Sequence, residues 1–177
     1  MQRGEITLII GGGRSGKSSY GEALAQAISG ERLYIATAEV TDPEMAKRIE
    51  AHQKRRAGLF SRTIEEPLNL AKALRQTEGA DVTLLDCLTV WLGNLVHKQG
   101  LLDHYEEIEE FLEALEQIKG NLIIITNEVG QGIIPATELS RHYRDHAGWL
   151  NQAVAQIADK VVWMVAGIPV VVKGETK

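Results

Sequence analysis

Residues 6–18 read Ile-Thr-Leu-Ile-Ile-Gly-Gly-Gly-Arg-Ser-Gly-Lys-Ser, an apolar run that leads into a glycine-rich loop. The loop matches the phosphate-binding pattern G-x-x-x-x-G-K-[ST], with the last two positions filled by Lys17 and Ser18. The glycines allow successive backbone N–H groups to converge on phosphate oxygens, and the following helix adds the positive end of its dipole. A glycine-rich turn that fits by chance is the alternative, but the strand before the loop disfavours it. The stretch therefore predicts binding of a nucleoside triphosphate.

Two side chains of this loop have predicted roles in the chemistry of the phosphates. Lys17 has a predicted catalytic role, because its ammonium group can reach the β- and γ-phosphates during transfer. The Ser18 hydroxyl is a predicted Mg²⁺ ligand.

A second phosphate-site element ends the apolar run Leu84-Leu85-Asp86. The carboxyl ends of strands in an open parallel sheet line the ligand crevice. Asp86 is therefore predicted to bind Mg²⁺ opposite Ser18, directly or through water. An acid that ends a strand by chance is the alternative, because the pattern is weak without the glycine-rich loop.

The composition of the 177 residues is that of an ordinary globular domain, with 44% hydrophobic and 24% charged residues. A formal net charge of −5 argues against nucleic-acid binding, which needs a basic surface. The single cysteine, Cys87, excludes an internal disulfide and fits a reducing compartment. The apolar stretch 161–172 is too short to span a bilayer and predicts two terminal strands. We therefore expect one cytoplasmic domain over residues 1–177, without a membrane span.

Strands and helices are predicted to alternate along the chain. Apolar runs at 5–10, 32–36, 82–86, 121–126 and 161–165 predict strands buried on both faces, as in a parallel sheet. Helices are predicted over 18–29, from Asp42 to about Arg56, and over 67–77, 104–119 and 139–157, the last as one helix or a broken pair. The alternation predicts an α/β fold: a single P-loop (RecA-like) domain with a mostly parallel central sheet and helices on both faces.

The second predicted helix carries a basic strip. Arg48, His52 and Arg56 are spaced four apart and share one helical face, with Arg55 beside it. Neighbouring cations disfavour the imidazolium and keep the histidine neutral and nucleophilic. The spacing alone leaves open a solvated basic helix with an incidental histidine.

Seven motifs occur in order along the chain: G-G-x-R-S-G-K-S at 11–18, Y-I-A-T-A at 34–38, E-M-x-x-R-I-x-x-H-x-x-R-R at 44–56, R-T-x-E at 62–65, D-C-L-T at 86–89, T-N-E-V-G-x-G-I-x-P at 126–135 and R-x-x-R-D-x-x-G-x-x-N-Q at 141–152. In this set the chain resembles the bifunctional adenosylcobinamide kinase/adenosylcobinamide-phosphate guanylyltransferase family of cobalamin biosynthesis. The glycine-rich loop alone is shared by a vast superfamily, whereas the ordered set is far more specific.

The resemblance implies that His52 is the guanylyl acceptor, although Ala51 stands where some relatives have a second histidine. Some relatives also have Glu at the position of Asp86, which keeps the carboxylate but shortens its reach. The resemblance implies GTP contacts at every residue of the glycine-rich loop, Gly11, Gly12, Gly13, Arg14, Ser15, Gly16, Lys17 and Ser18. It also implies GTP contacts at Ala36, Thr37, Ala38, Gln53, Lys54, Arg55, Arg56, Glu65 and Asp86.

The same resemblance implies the substrates and the assembly. ATP or GTP would donate the phosphoryl group, GTP would donate GMP, and Mg²⁺ would be the cofactor. The acceptors would be corrinoids, adenosylcobinamide and its phosphate. The protein is expected to be a homo-oligomer, a trimer in its relatives.

Several interpretations stay open at this point. Asn127 and Glu128 either position a substrate hydroxyl or water, or belong to a turn whose glycines serve backbone geometry. Arg141, Arg144 and Asp145 form either a phosphate clamp or an ion-paired helix surface. A monofunctional P-loop kinase and a P-loop nucleotide switch or ATPase also fit the loop, and neither gives His52 a role.

Overall fold

The structure is a computed structural model that describes residues 3–40 and 43–175, without the side chains of Glu44, Met45, Arg48, His52 and Arg55. Its strands are β1 Ile6–Gly11, β2 Arg32–Ala36, β3 Arg62–Glu65, β4 Val82–Asp86, β5 Asn121–Asn127, β6 Lys160–Val165 and β7 Ile168–Lys173. Its helices are α1 Lys17–Ala27, α2 Pro43–Arg56, α3 Leu70–Arg75, α4 Leu88–Gln99, α5 Glu106–Glu116 and α6 Glu138–Ile157.

The strands form one sheet in the order β3-β2-β4-β5-β1-β6-β7. All neighbouring pairs are parallel except β6 and β7, which form an antiparallel hairpin. β5 lies between β1, which leads into the glycine-rich loop, and β4, which ends at Asp86. The carboxyl ends of β1, β4 and β5 therefore meet at one edge of the sheet.

The sheet is buried on both faces, because alternate residues of each central strand join different hydrophobic clusters. Leu8 and Ile124 pack with residues of α3, α4, α5 and α6 on one face. Ile9 and Ile125 pack with residues of α1 on the other. This arrangement confirms the predicted α/β fold with a mostly parallel sheet and helices on both faces.

The five predicted strands are present, with ends that differ by at most one residue. Residues 161–172 contain the predicted terminal strand pair, joined by a tight turn in which Ala166 and Gly167 have φ values of 50° and 83°. The predicted helix over 139–157 is a single unbroken α6. The helix predicted from Asp42 is α2, which begins at Pro43, and Asp42 itself lies outside the described residues.

The sequence analysis missed two elements. β3 lies at the edge of the sheet and buries only Ile64 among its four residues, so it leaves no apolar run. α4 buries Leu88, Trp91, Leu92, Leu95 and Val96, whose spacing of three and four is a helical pattern that the analysis overlooked.

None of the helices in residues 3–40 and 43–175 has the length and apolar character needed to cross a bilayer.

Candidate active site

The glycine-rich loop curls tightly between β1 and α1. Gly16 has a φ of 93° and Arg14 a φ of 57°, so the backbone turns through the left-handed region at both positions. The Ser15 carbonyl accepts a hydrogen bond of 3.0 Å from the Gly167 N–H, which ties the loop to the β6–β7 turn. α1 begins at Lys17, so its first N–H groups face the loop. The loop therefore has the geometry of an anion-binding site at a helix N-terminus.

Lys17 is buried at the centre of this loop. Its Nζ donates a hydrogen bond of 2.6 Å to the Gly12 carbonyl oxygen. Burial lowers the pKa of Lys17, and the negative charge of Asp86 partly opposes that shift. Because its hydrogen-bond acceptor is a neutral carbonyl, a phosphate oxygen can replace that acceptor and gain a charge-assisted bond.

The carboxylate of Asp86 collects two hydroxyl donors from different elements. Ser18 Oγ donates to Asp86 Oδ2 over 2.9 Å, and the Tyr34 hydroxyl donates to the same oxygen over 3.1 Å. Burial and the Asp86 charge raise the pKa of Tyr34, so the phenol remains a neutral donor. The structure thus brings Ser18 and Asp86 together, and Tyr34 holds the carboxylate in place.

Arg56, the last residue of α2, packs on the same tyrosine. Its Cζ lies 3.6 Å from the centroid of the Tyr34 ring, within the range of a cation–π contact. Arg56 is only 9% exposed, which is unusual for an arginine and fixes the end of α2 against β2.

A cavity of about 700 Å³ opens beside the loop at the carboxyl ends of the central strands, a size typical of small-molecule sites. Its lining includes these predicted nucleotide contacts: Gly13, Arg14, Ser15, Gly16, Lys17, Ser18, Ala36, Ala38, Gln53, Arg56, Glu65 and Asp86.

Among the residues that the structure describes in full, four predicted contacts do not line this cavity: Gly11, Gly12, Thr37 and Lys54. The Thr37 side chain is fully buried, where its hydroxyl accepts from the Cys87 N–H over 2.9 Å and bonds the carbonyls of Asp86 and Cys87. Lys54 is exposed and pairs with Glu50 over 2.6 Å. Gly11 ends β1 against Met164, and the Gly12 carbonyl binds Lys17. The side chains of His52 and Arg55 lie outside what the structure describes, although both residues belong to α2.

Sequence reasoning left the role of Asn127 open, and it missed Tyr34, Thr89 and Tyr143, which also line this cavity. Asn127 Nδ2 donates to Thr89 Oγ1 over 2.7 Å, and the Tyr143 hydroxyl donates to the Thr89 carbonyl over 2.7 Å. Burial raises the pKa of Tyr143 to about 12, so it too stays neutral. Asn127 ends β5 as Asp86 ends β4, a signal the sequence carried, whereas Thr89 and Tyr143 come from helices with no such signal. Tyr34 belongs to no sequence pattern that is typical of phosphate binding.

Comparison with known families matches residues 7–172 to the family described as cobinamide kinase / cobinamide phosphate guanyltransferase. The chain belongs to this family. It is 46% identical over 169 residues to the bifunctional adenosylcobalamin biosynthesis protein CobP of Pseudomonas aeruginosa, covering 95% of this chain and 97% of that protein. It is 37% identical over 182 residues to the bifunctional adenosylcobalamin biosynthesis protein CobU of Escherichia coli, covering 95% and 99%.

A solved structure from Pyrococcus horikoshii OT3 has a similar fold. It matches with a TM-score of 0.59 at 9% identity, over 99% of this chain and 89% of that chain. The family model and the two relatives confirm the family resemblance drawn from the motifs. The two activities that the family is named for are both transfers from nucleotide donors, which agrees with the phosphate-binding loop.

Proposed function

We propose that this protein phosphorylates adenosylcobinamide with ATP or GTP and then transfers GMP from GTP to adenosylcobinamide-phosphate. The observation that carries the proposal is the cavity in which the glycine-rich loop, Asp86 and the end of α2 converge, in a chain of the cobinamide kinase/guanylyltransferase family. The residues act on two different phosphorus atoms of the nucleotide.

In the kinase step, the hydroxyl oxygen on the aminopropanol arm of adenosylcobinamide attacks the γ-phosphorus. The bond from that phosphorus to the β–γ bridging oxygen breaks, and the nucleoside diphosphate leaves with this oxygen. Lys17 and the N–H groups of the loop stabilise the charge that spreads over the phosphoryl oxygens. The hydroxyl proton passes to solvent or to a carboxylate at the cavity.

Ser18 and Asp86 fit a Mg²⁺ site. They are hard oxygen donors held 2.9 Å apart at the cavity, and Mg²⁺ prefers a few protein oxygens completed by water and substrate phosphate. We assign Ser18 as a direct ligand and Asp86 as a direct or water-mediated one. The ion would neutralise charge on the β- and γ-phosphate oxygens.

In the guanylyl step, a ring nitrogen of His52 attacks the α-phosphorus of GTP. The bond to the α–β bridging oxygen breaks, pyrophosphate leaves, and a GMP–histidine phosphoramidate remains on the enzyme. A phosphate oxygen of adenosylcobinamide-phosphate then attacks this phosphorus and the P–N bond breaks. The products are adenosylcobinamide-GDP and free His52, so one transfer is divided into two covalent steps.

The spacing on α2 supports this role for His52. Ile49 and Arg56 both line the cavity, and position 52 is three residues after the first and four before the second. Residues three and four apart share one face of a helix. The remaining proposed nucleotide contacts are Gly11, Gly12, Gly13, Arg14, Ser15, Gly16, Ala36, Thr37, Ala38, Gln53, Lys54, Arg55 and Glu65.

We further propose that the chain forms one catalytic domain, assembles as a homotrimer, works in the cytoplasm and does not bind nucleic acid. The net charge of −5 supports the last point, because nucleic-acid binding draws on basic surfaces.

The test is a product analysis by mass spectrometry with adenosylcobinamide and either ATP or GTP. We expect adenosylcobinamide-phosphate with either nucleotide and adenosylcobinamide-GDP with GTP. The Lys17→Met variant should lose the kinase step, whereas His52→Ala should make the phosphate but no adenosylcobinamide-GDP. Phosphorylation alone in the wild type would indicate a monofunctional kinase, and hydrolysis without transfer would indicate a nucleotide switch or ATPase.

A further inference from the structure

A second cavity, of about 410 Å³, lies between α4 and α6. We name it the α4–α6 cleft. Gly93 and Val96 line it from α4, Leu139 and Tyr143 from α6, and Val129 and Pro135 from the segment after β5. Its walls are mostly apolar, which suits contact with the carbon skeleton of a ligand rather than with its charged groups.

The α4–α6 cleft adjoins the nucleotide cavity, because Val129 and Tyr143 line both. The Tyr143 hydroxyl is fixed to the Thr89 carbonyl, and the Thr89 hydroxyl is fixed to Asn127. This hydrogen-bonded wall stands where the two cavities meet. A molecule held in the cleft would therefore lie against Tyr143, directly beside the nucleotide cavity.

The rim of the cleft is an exposed apolar patch. Ile133 is 98% exposed, Ile134 69% and Leu139 54%. Exposed apolar side chains grouped beside a cavity typically mark a ligand or partner site. Arg144 also lines the cleft, where its guanidinium makes two hydrogen bonds to Asp145 Oδ1 of 2.9 and 2.7 Å.

The two ends of the nucleotide cavity have different chemistry. Arg56, Gln53 and Glu65 border it on the side of α2 and β3 with charged and polar groups. Where Val129 and Tyr143 line it, the nucleotide cavity borders the apolar cleft. An acceptor that attacks the γ-phosphate must approach from outside the nucleotide, and the cleft is a surface beside the nucleotide cavity that can hold its bulk.

We propose that the α4–α6 cleft binds the corrinoid acceptor. The methyl groups and carbon edge of the corrin ring pack against the cleft and its rim, and the reactive arm extends past Tyr143 to the phosphates. This assignment rests on the proposed function, since it names the site of that function's acceptor. A second copy of this chain is the competing occupant that the test must separate.

Gly93 offers a way to fill the cleft without disturbing its walls. A Cβ at this position would meet only the Tyr143 ring, at 3.9 Å, so a larger side chain has space on the cleft side of α4. The matched control is Gly148, which lies inside α6, has nothing within 4 Å of a built Cβ and does not line the cleft. We therefore compare Gly93→Leu with Gly148→Leu, and use Gly93→Ala to measure the helix effect alone.

The experiment measures adenosylcobinamide binding by equilibrium dialysis, its KM in the kinase assay, GTP binding, and GMP attachment to the enzyme with GTP alone. We expect Gly93→Leu to weaken acceptor binding and raise its KM by about tenfold or more, which corresponds to about 1.4 kcal/mol. GTP binding and GMP attachment should stay at wild-type levels in Gly93→Leu, and Gly148→Leu should match the wild type throughout.

A second variant guards against a folding defect in Gly93→Leu. Leu139→Glu places a charge on the apolar wall at a half-exposed position in the first turn of α6, where an acid is tolerated. It should raise the acceptor KM in the same way. An unchanged acceptor KM in both variants overturns the assignment. If light scattering also shows a changed oligomeric mass while the KM is unchanged, the cleft is an interface between copies of the chain instead.

The outcomes also separate the site from the function. Wild-type protein that binds adenosylcobinamide in a manner sensitive to Gly93→Leu, but does not phosphorylate it, would support the site and refute the proposed function. Wild-type turnover that is insensitive to both substitutions would support the function and refute the site. Wild-type protein that neither binds nor phosphorylates adenosylcobinamide would refute both.

Discussion

At the scale of single residues, one oxygen of Asp86 organises the site. It accepts the hydroxyl protons of Ser18 and Tyr34, while Arg56 stacks on the Tyr34 ring. Residues from α1, β2 and α2 are thus connected through one carboxylate. Hydrogen bonds to a charged acceptor are about twice as strong as neutral ones. The cluster therefore holds Ser18 and Asp86, which phosphoryl transfer needs, in fixed positions.

Asp86→Asn keeps the size of the side chain but removes the charge that we assign to Mg²⁺ binding. We expect the kinase turnover to fall by about a hundredfold or more, as with loss of other groups that stabilise transition-state charge. Steady-state kinetics at saturating nucleotide measure this. Tyr34→Phe is the companion variant: it removes one donor and should lower activity much less. Wild-type turnover in Asp86→Asn would contradict the assignment.

At the scale of elements, the ends of neighbouring strands are joined by buried polar contacts. Thr37 follows β2, and its hydroxyl bonds the backbone between β4 and α4 at Asp86 and Cys87. In the same way, the Glu128 N–H donates to the Gly11 carbonyl over 3.1 Å and links the segment after β5 to the start of the glycine-rich loop. These contacts hold the phosphate-binding edge of the sheet together.

Thr37→Val replaces the hydroxyl by a methyl group of similar volume and leaves the Cys87 N–H without that acceptor. We expect the free energy of unfolding to fall by about 1–3 kcal/mol, the usual cost of an unsatisfied buried polar group. Urea denaturation measures the loss. Thr37→Ser retains the hydroxyl and should lose clearly less. Equal losses in the two variants would mean that the hydrogen bonds do not carry the effect.

Gly11 and Gly12 make a matched pair at the start of the loop. A Cβ at Gly11 would lie 2.7 Å from the Met164 carbonyl oxygen and 2.8 Å from Ser15 Oγ, whereas one at Gly12 would meet nothing within 4 Å. We expect Gly11→Ala to destabilise the nucleotide-free protein by about 1–3 kcal/mol, as overpacking does, and Gly12→Ala to leave it near the wild type. Thermal unfolding distinguishes them, and equal melting temperatures would contradict the close packing.

The sequence predicted those elements whose signal is local. β1, β2, β4, β5 and β6 appear in the sequence as apolar runs. The spacing of its residues alone identifies the glycine-rich loop. β3 could not be predicted this way, because an edge strand that buries only Ile64 lacks the run. Tyr143 could not be placed in the site either, since its partner Thr89 lies 54 residues away and only the packing of α6 on α4 joins them.

At the scale of the whole molecule, aromatic rings join α6 to Tyr105, which immediately precedes α5. The Tyr105 hydroxyl lies 3.0 Å from His142 Nε2, and the rings of His142 and His146 are 4.0 Å apart. Burial lowers the pKa of His142, and His146 lowers it further, while Asp103, Asp145 and Glu138 partly oppose the shift. The folded protein therefore resists protonation of this histidine.

The lowered pKa of His142 determines how stability changes with pH. Below the ordinary pKa of 6.5 the unfolded chain binds a proton at His142 more readily than the folded one, so stability falls as the pH drops through this range. When the pH is lowered from about 7.5 to about 5.5, we expect the His142→Gln variant to lose less stability than the wild type does. Melting temperatures across this range measure the difference, and parallel curves would contradict it.

The assembly is also a prediction at this scale. We expect light scattering to give three times the chain mass of 19.5 kDa at assay concentrations. A mass of one chain under the same conditions would contradict the proposed homotrimer.

The most direct test of the account is intact-mass analysis after incubation with GTP and Mg²⁺ and denaturation. The account predicts a mass increase of one GMP on the wild type, labile to acid and stable to alkali, as a phosphoramidate is. The adduct should be absent from His52→Ala and present in His104→Ala, a control at an exposed histidine paired with Glu109. No adduct with GTP binding intact, or an adduct that persists in His52→Ala, would contradict it.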